Sequence, residues 1–340
     1  MTVPPMTKLE RLHAAVRREP TDRPPYAFWR HFPAVDHSPA ALAQSTLRFH
    51  ERYGGDILKV TPRGGYAVED WGCVESEEIQ PDGHRGCASH GVRDPADWKK
   101  IRPLPMTDTG WAGHLESLLR VGVDQRADAP VLPTVFSPLS LARKLSGERL
   151  GYDLKENPQL VLDALEAITE TILSFIEAAF SEGTLGFFYS VQAASLSLHT
   201  EEEYLRFGEP HDRRILETVR GRSTFTLLHC HGDRLMFDRL AALPADAWNW
   251  DDRRSGPTLR EGRAKVPGAV IGGMNQWTTL KDGTPAQAVA EAQEAIAQVD
   301  GRGLVLGAGC VLLHKHADAP LVEVARTLGG NVKLAGVPPQ

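Results

Sequence analysis

Eight short apolar segments recur along this chain, separated by amphipathic helical patterns, and this alternation constrains the fold more than any other feature. The segments are Tyr26–Arg30, Ile57–Thr61, Val131–Phe136, Leu185–Tyr189, Thr224–His229, Ala247–Trp250, Val270–Gly273 and Leu304–Gly307. Strands alternating with helices imply parallel pairing through helical crossovers. The most regular helix is expected over Gln159–Ser181. There Val161, Leu162, Leu165, Ile168, Ile172, Phe175, Ile176 and Ala179 recur at three- and four-residue steps, between Pro158 and Gly183. Further helices are expected at Pro39–Tyr53, Glu202–Gly208, Arg213–Arg220, Arg234–Leu243, Pro285–Val299 and Pro320–Leu328. Eight strands in this rhythm predict an α/β protein, a (β/α)8 TIM barrel forming a single domain over residues 1–340 with its core at 7–330. Residues 62–130 break the rhythm, and Val68–Glu69 with Gly91–Val92 read there as a hairpin excursion.

Composition closes off several function classes. With 41% hydrophobic and 24% charged residues the chain is ordinary globular material, neither disordered nor fibrous. Lys and Arg number 38 against 44 Asp and Glu, a net charge of −6 without a basic block, so a nucleic-acid footprint is not expected. The apolar stretch Leu160–Phe180 is interrupted by Asp, Glu and Thr, too amphipathic to span a bilayer. Charges run through the first twenty residues with no apolar signal core, so a cytoplasmic location is expected. Four cysteines in a chain of this length do not make a disulfide framework. They are packing residues, metal ligands or catalytic thiols.

The strongest local chemical signal is Thr226-Leu227-Leu228-His229-Cys230-His231-Gly232. Side chains alternate along a strand, so Leu227, His229 and His231 share one face and Leu228 and Cys230 the other. Two imidazoles two residues apart at a strand's carboxyl end can reach one ion. The run Leu304-Val305-Leu306-Gly307-Ala308-Gly309-Cys310 reads as a buried strand ending in small residues that turn tightly and leave Cys310 at the same rim. Two histidines and a cysteine leave a fourth position open, the arrangement of catalytic rather than structural zinc, and a thiolate with two imidazoles suits zinc better than magnesium or calcium. His314 and His316 could join Cys310 in an alternative cluster only if the chain curled back over the barrel mouth; they read instead as loop histidines. Cys73 and Cys87 have no ligand-like spacing and read as structural.

Other polar residues follow the ends of the expected strands, where barrel enzymes place their chemistry. Arg30 and His31 follow the first, Tyr189 to Gln192 the fourth, Asn249, Asp251, Asp252 and Arg253 the sixth, and Asn275 and Gln276 the seventh. From these, Tyr189, His31 and Asp251 are the candidates for catalysis, and Arg30, Gln192, Asn249 and Asn275 for substrate binding.

The order of motifs resembles the uroporphyrinogen decarboxylase superfamily. The matching pieces are Arg23-Pro24-Pro25-Tyr26-Ala27-Phe28-Trp29-Arg30, Tyr53-Gly54-Gly55-Asp56-Ile57-Leu58-Lys59-Val60 and Val68-Glu69-Asp70-Trp71-Gly72. They continue with Phe136-Ser137-Pro138, Phe188-Tyr189-Ser190-Val191-Gln192, Asn249-Trp250 and Gly309-Cys310. The resemblance implies a barrel and often a homodimer. Porphyrin-pathway members work without metal, using an arginine-rich first segment, an aspartate, a tyrosine and a late histidine. Here the corresponding places hold His31-Phe32-Pro33, Pro62-Arg63, Arg143-Lys144 and Gly329-Gly330, which argues against that reaction. The other branch, similar to zinc-dependent methyltransferases of the methylcobamide:thiol and cobalamin-independent methionine synthase kinds, carries His-x-Cys and a later Cys as ligands. Here His229 takes the histidine place, His231 replaces the first cysteine and Cys310 matches the second.

The resulting expectation is a zinc enzyme with one ion per chain that transfers a methyl or alkyl group to a small molecule, Zn2+ activating a thiolate or polar atom. The donor implied by the resemblance is a methyl-corrinoid protein or a folate; the sequence holds no Asp-x-His-x-x-Gly run, so cobalamin would arrive on a partner. An imidazole in place of a thiolate leaves the ion one unit more positive, which also opens hydrolase or lyase chemistry. A metal-free decarboxylase with Arg30, Arg63 and Arg143 lining an anion pocket is the remaining enzymatic alternative, and a barrel that binds ligand without turnover the non-enzymatic one.

Overall fold

Ten strands form among the described residues, 4–124 and 127–333 of a computed structural model. In chain order they are β1 Tyr26–Ala27, β2 Leu58–Val60, β3 Val74–Ile79, β4 Arg85–Ser89, β5 Val131–Phe136, β6 Gly186–Val191, β7 Phe225–Cys230, β8 Ala247–Asn249, β9 Ala269–Met274 and β10 Leu304–Ala308. Eight of them pair in parallel in the order β1-β10-β9-β8-β7-β6-β5-β2, while β3 and β4 form a separate antiparallel pair. With helices between the strands this is the expected (β/α)8 barrel, nearly closed.

The seam between β1 and β2 is held by a buried carboxylate. Asp56 donates its backbone N–H to the Tyr26 carbonyl at 2.7 Å, and its side chain accepts from the Tyr26 N–H at 2.9 Å. Arg11 and Arg23 supply guanidinium partners at 2.5 and 2.8 Å, so the buried charge is paired and its lone pairs are used. Inside the barrel, Ala27, Leu132, Phe188, Phe225, Leu227, Ala247, Ile271 and Val305 pack together. The larger core lies between the strands and the helical ring, where the helix Pro158–Ser181 buries Val161, Leu165, Ile168, Ile172 and Phe175.

Most expected elements form within one or two residues of their sequence bounds; the helix expected at Arg213–Arg220 starts four residues early, as Glu209–Val219, and three others also depart. The first strand is only Tyr26–Ala27, because the chain beyond it leaves the ladder and returns in a single bridge, Arg30 to Leu312. The helix expected at Arg234–Leu243 shrinks to Phe237–Ala241. Gly232 and Arg234 both take positive φ (120° and 43°), and Leu235 bridges Ser195 instead of entering a helix. The hairpin is β3–β4, not Val68–Glu69 with Gly91–Val92. Val68 and Trp71 are buried, and the chain coils there through two 3-10 turns, Gly64–Ala67 and Glu69–Trp71. The hairpin strands that follow are largely exposed, so they carry no apolar run to read.

Candidate functional site

Strand parity builds the site. Phe225 and Leu227 point into the barrel, so His229 points inward too, and His231 follows on the same face just past the end of β7. Cys310 sits two residues beyond β10, after Gly309. A side chain at Gly309 would collide with the main chain of Trp250 and Asp251, so only glycine allows this close turn. The Cys310 Sγ then lies 3.6 Å from His229 Nε2 and 3.7 Å from His231 Nδ1. One ligand atom from each of the three residues lies within 4.8 Å of the others.

The tautomer of His229 is fixed from below. β7 and β8 pair with His229 opposite Asn249. His229 Nδ1–H donates to Asn249 Oδ1 at 2.6 Å, which leaves Nε2 unprotonated and aimed at Cys310. Asn249 is itself locked, its amide donating to the Ile271 and Ala308 carbonyls at 2.9 and 3.0 Å. Burial, with His231 as a second cause, holds the His229 imidazole neutral with a pKa of about 3. Burial also pushes the Cys310 thiol up to about 12. A thiolate at Cys310 therefore needs a cation beside it.

The triad opens onto a cavity of about 600 Å³, of ordinary size for a small-molecule site. Its wall includes Lys59, Gln192, Arg143, Lys144 and His31, and the hairpin turn brings Asp82 and His84 over it. Lys59 is the residue that sequence reasoning missed. It lies on β2 with its Nζ 3.0 Å from Thr61 Oγ1 and 4.2 Å from the centre of the Phe188 ring. Burial lowers its ammonium to a pKa of about 7, against the opposing influence of Cys310. A lysine in the buried run Ile57-Leu58-Lys59-Val60, on the inward parity of Ile57, was the available signal.

The remaining candidates are sorted by the same geometry. His31 lines the cavity with a buried Nδ1 that has no hydrogen-bond partner, and burial lowers its pKa to about 3. Gln192 lines it as expected. Asp251 lines an adjoining recess with the triad, where its Oδ2 accepts from Gln276 and Trp277 at 3.0 and 3.2 Å. Four expectations change. Tyr189 points outward, because Phe188 and Ser190 take the inward parity, and its hydroxyl donates to Asp212 at 2.7 Å in the helical layer. Asn249 is fully buried beneath His229, so it positions the imidazole and does not reach a substrate. Asn275 caps its own turn, accepting from the Trp277 and Thr278 N–H groups. Arg30 donates to the His31 and His314 carbonyls and lines a different cleft with His314 and His316. Those two histidines bond the Pro81 and Leu313 carbonyls, away from the triad.

No helix among the described residues is long and apolar enough to cross a membrane. Two methylcobamide:CoM methyltransferases named MtbA, from Methanosarcina mazei and Methanosarcina acetivorans, are each 22% identical to this chain, covering 94% of it and 96% of their own length. Among solved structures, a methyltransferase from Methanosarcina mazei superposes with a TM-score of 0.77 at 18% identity, covering 95% of this chain and 98% of its own. A B12-independent methionine synthase from Shewanella sp. W3-18-1 gives 0.57 at 11% identity, over 90% of this chain and 93% of its own. The family model for uroporphyrinogen decarboxylase (URO-D) matches residues 7–326, and with the barrel and its ordered motifs this places the chain in the uroporphyrinogen decarboxylase family.

Proposed function

We propose that this chain transfers a methyl or alkyl group to a small acceptor at a zinc ion held by His229, His231 and Cys310. The observation that carries the reading is the spacing of the three ligand atoms at the floor of an open cavity. Tetrahedral zinc with bonds of about 2.0–2.1 Å to nitrogen and about 2.3 Å to sulfur has nitrogen–sulfur edges of about 3.6 Å. The edges found are 3.6 and 3.7 Å, so both nitrogen–sulfur edges match that geometry. The methyltransferase relatives at 22% identity support transfer as the reaction class.

Bound there, the ion supplies Lewis-acid chemistry, lowering the pKa of a thiol or other polar acceptor atom in its fourth position. Asn249 keeps His229 in the ligating tautomer. Lys59 is an unusually dry ammonium on the cavity wall, suited to an acceptor's anionic tail. His31 stays neutral at physiological pH and contributes to the cavity wall without adding charge. The donor in this reading is a methyl-corrinoid protein or a folate, and the enzyme is a cytoplasmic homodimer. Arg30 faces another cleft and Arg63 is held by Glu69 and Glu75, so the arginine pocket of a metal-free decarboxylase finds less support. One thiolate beside two imidazoles leaves the ion more electropositive, and this favours hydrolase or lyase chemistry as the second reading.

The test is elemental analysis of untagged protein and of Cys310→Ala, paired with methyl transfer from methylcobalamin to thiols with and without an anionic tail. An ion lost in the variant, together with thiol-dependent methyl transfer, is the expected result. Metal-independent turnover would overturn the proposal, and turnover needing metal but no acceptor would shift it to the second reading.

A further inference from the structure

A second set of ligands converges at the base of the hairpin, on the wall of the same cavity but built from other elements. Cys73 immediately precedes β3, Cys87 lies on β4 opposite Glu75, and His90 follows β4. One ligand atom from each lies within 4.8 Å of the other two. Cys73 is buried; Cys87 and His90 are partly exposed to the cavity.

All three side chains lean on one acceptor, the Lys144 carbonyl in the helix Pro138–Ser146. Its oxygen lies 3.5 Å from Cys73 Sγ, 3.6 Å from Cys87 Sγ and 2.9 Å from His90 Nδ1. A carbonyl oxygen has two lone pairs, so three donors overfill it. Two thiolates sharing a divalent ion carry no S–H and would no longer need that oxygen, which relieves the crowding. Two thiolates and one imidazole also leave a zinc ion neutral overall, so the nearby Lys144 ammonium, turned onto the Phe136 ring at 4.4 Å, does not oppose binding.

The location gives the site a task. An isolated two-stranded hairpin is marginal in water, and β3 and β4 are mostly exposed. Yet this hairpin roofs the cavity, with Asp82 and His84 at its turn facing His231 and Cys310. Its turn is held by the Pro81 carbonyl, which accepts from the His314 N–H at 3.0 Å. Its base is where the two cysteines and the histidine meet.

We propose that Cys73, Cys87 and His90 form a second site for a thiophilic divalent ion, zinc foremost, that ties the two strands of the hairpin together at its base. Binding releases the thiol protons to solvent and involves no change of oxidation state. The proposal stands independently of the first cluster. It is tested in the Cys310→Ala protein, where that cluster is incomplete, by anaerobic titration with Co2+ and by limited proteolysis. The Cys310→Ala protein is expected to take up one Co2+ with the strong near-ultraviolet charge-transfer absorption of two thiolates. Further replacement of Cys87→Ser or His90→Gln should weaken uptake at least tenfold. The ion should slow cleavage within residues 74–89, and the effect should vanish in the same variants. Circular dichroism is to check that these variants, altered at partly exposed residues, remain folded. Absence of Co2+ uptake in Cys310→Ala, uptake indifferent to Cys87→Ser and His90→Gln, or isolation of Cys73 and Cys87 as a disulfide that excludes the ion would each overturn the proposal.

Discussion

Asn249→Ala separates the positioning of a ligand from the holding of the barrel, because Asn249 does both with different atoms. Its Oδ1 accepts from His229 Nδ1 at 2.6 Å, and its amide donates to two strand carbonyls at 2.9 and 3.0 Å. Losing the acceptor frees His229 to rotate or to change tautomer. Such support is typically worth about 10–100-fold in metal affinity, or about 1.4–2.7 kcal/mol. Losing the amide removes donors from buried carbonyls, which costs about 1–3 kcal/mol of folding stability. Asn249→Asp is the control that uncouples the two, since it keeps an acceptor for His229 but takes the donors from Ile271 and Ala308. The assay is competition for Zn2+ against a chromophoric chelator at pH 7.5, in a Cys73→Ser/Cys87→Ser background so that only one cluster can respond. Urea unfolding of the metal-free proteins reads stability separately. Asn249→Ala should lose affinity and stability together; Asn249→Asp should lose stability while holding affinity within a few-fold. Wild-type affinity in folded Asn249→Ala, or equal loss in both variants, would refute the assignment of Asn249 as the residue that orients His229.

Lys59→Met removes the buried ammonium from the cavity wall, and the KM for an anionic thiol should rise roughly 10–100-fold, the scale of a lost charge-assisted hydrogen bond of about 1.5–3 kcal/mol, with little change for a neutral thiol. In the wild type that discrimination should fade as pH rises through about 7, where Lys59 loses its proton, and a KM ratio flat from pH 6 to 8.5 would count against the role. Asp212, buried between the Tyr189 and Tyr204 hydroxyls, has its pKa raised to about 7 by burial, which outweighs those two hydrogen bonds. Unfolded aspartate titrates near about 3.9, so between about pH 4 and 7 the native state holds a proton that the unfolded state has released, and stability falls as pH rises across that window. Asp212→Asn should flatten this part of the urea-denaturation profile, and a profile parallel to the wild type would show that Asp212 is ionised throughout.

The barrel was legible because its signal is local and repeated: each strand carries its own apolar run, and Val131–Phe136 and Pro39–Tyr53 form with the bounds expected from sequence. The first metal cluster was legible for a related reason. Strand parity fixes where His229 and His231 point, and small residues announce the turn before Cys310. The same parity, applied along Phe188-Tyr189-Ser190, would have sent Tyr189 into the helical layer and left Ser190 and Gln192 facing the cavity. Asn249 was harder, because its depth follows from its pairing with His229, and register between strands is not written in either strand alone. Cys73 and Cys87 show the limit most plainly. Ligands on one strand or one helix turn have a fixed spacing, whereas ligands facing each other across a hairpin are separated by whatever length the strands and turn happen to have. Thirteen residues between two cysteines therefore carry no signature until β3 folds back on β4. His90, which looks like an ordinary loop histidine in the sequence, becomes their neighbour through that same fold.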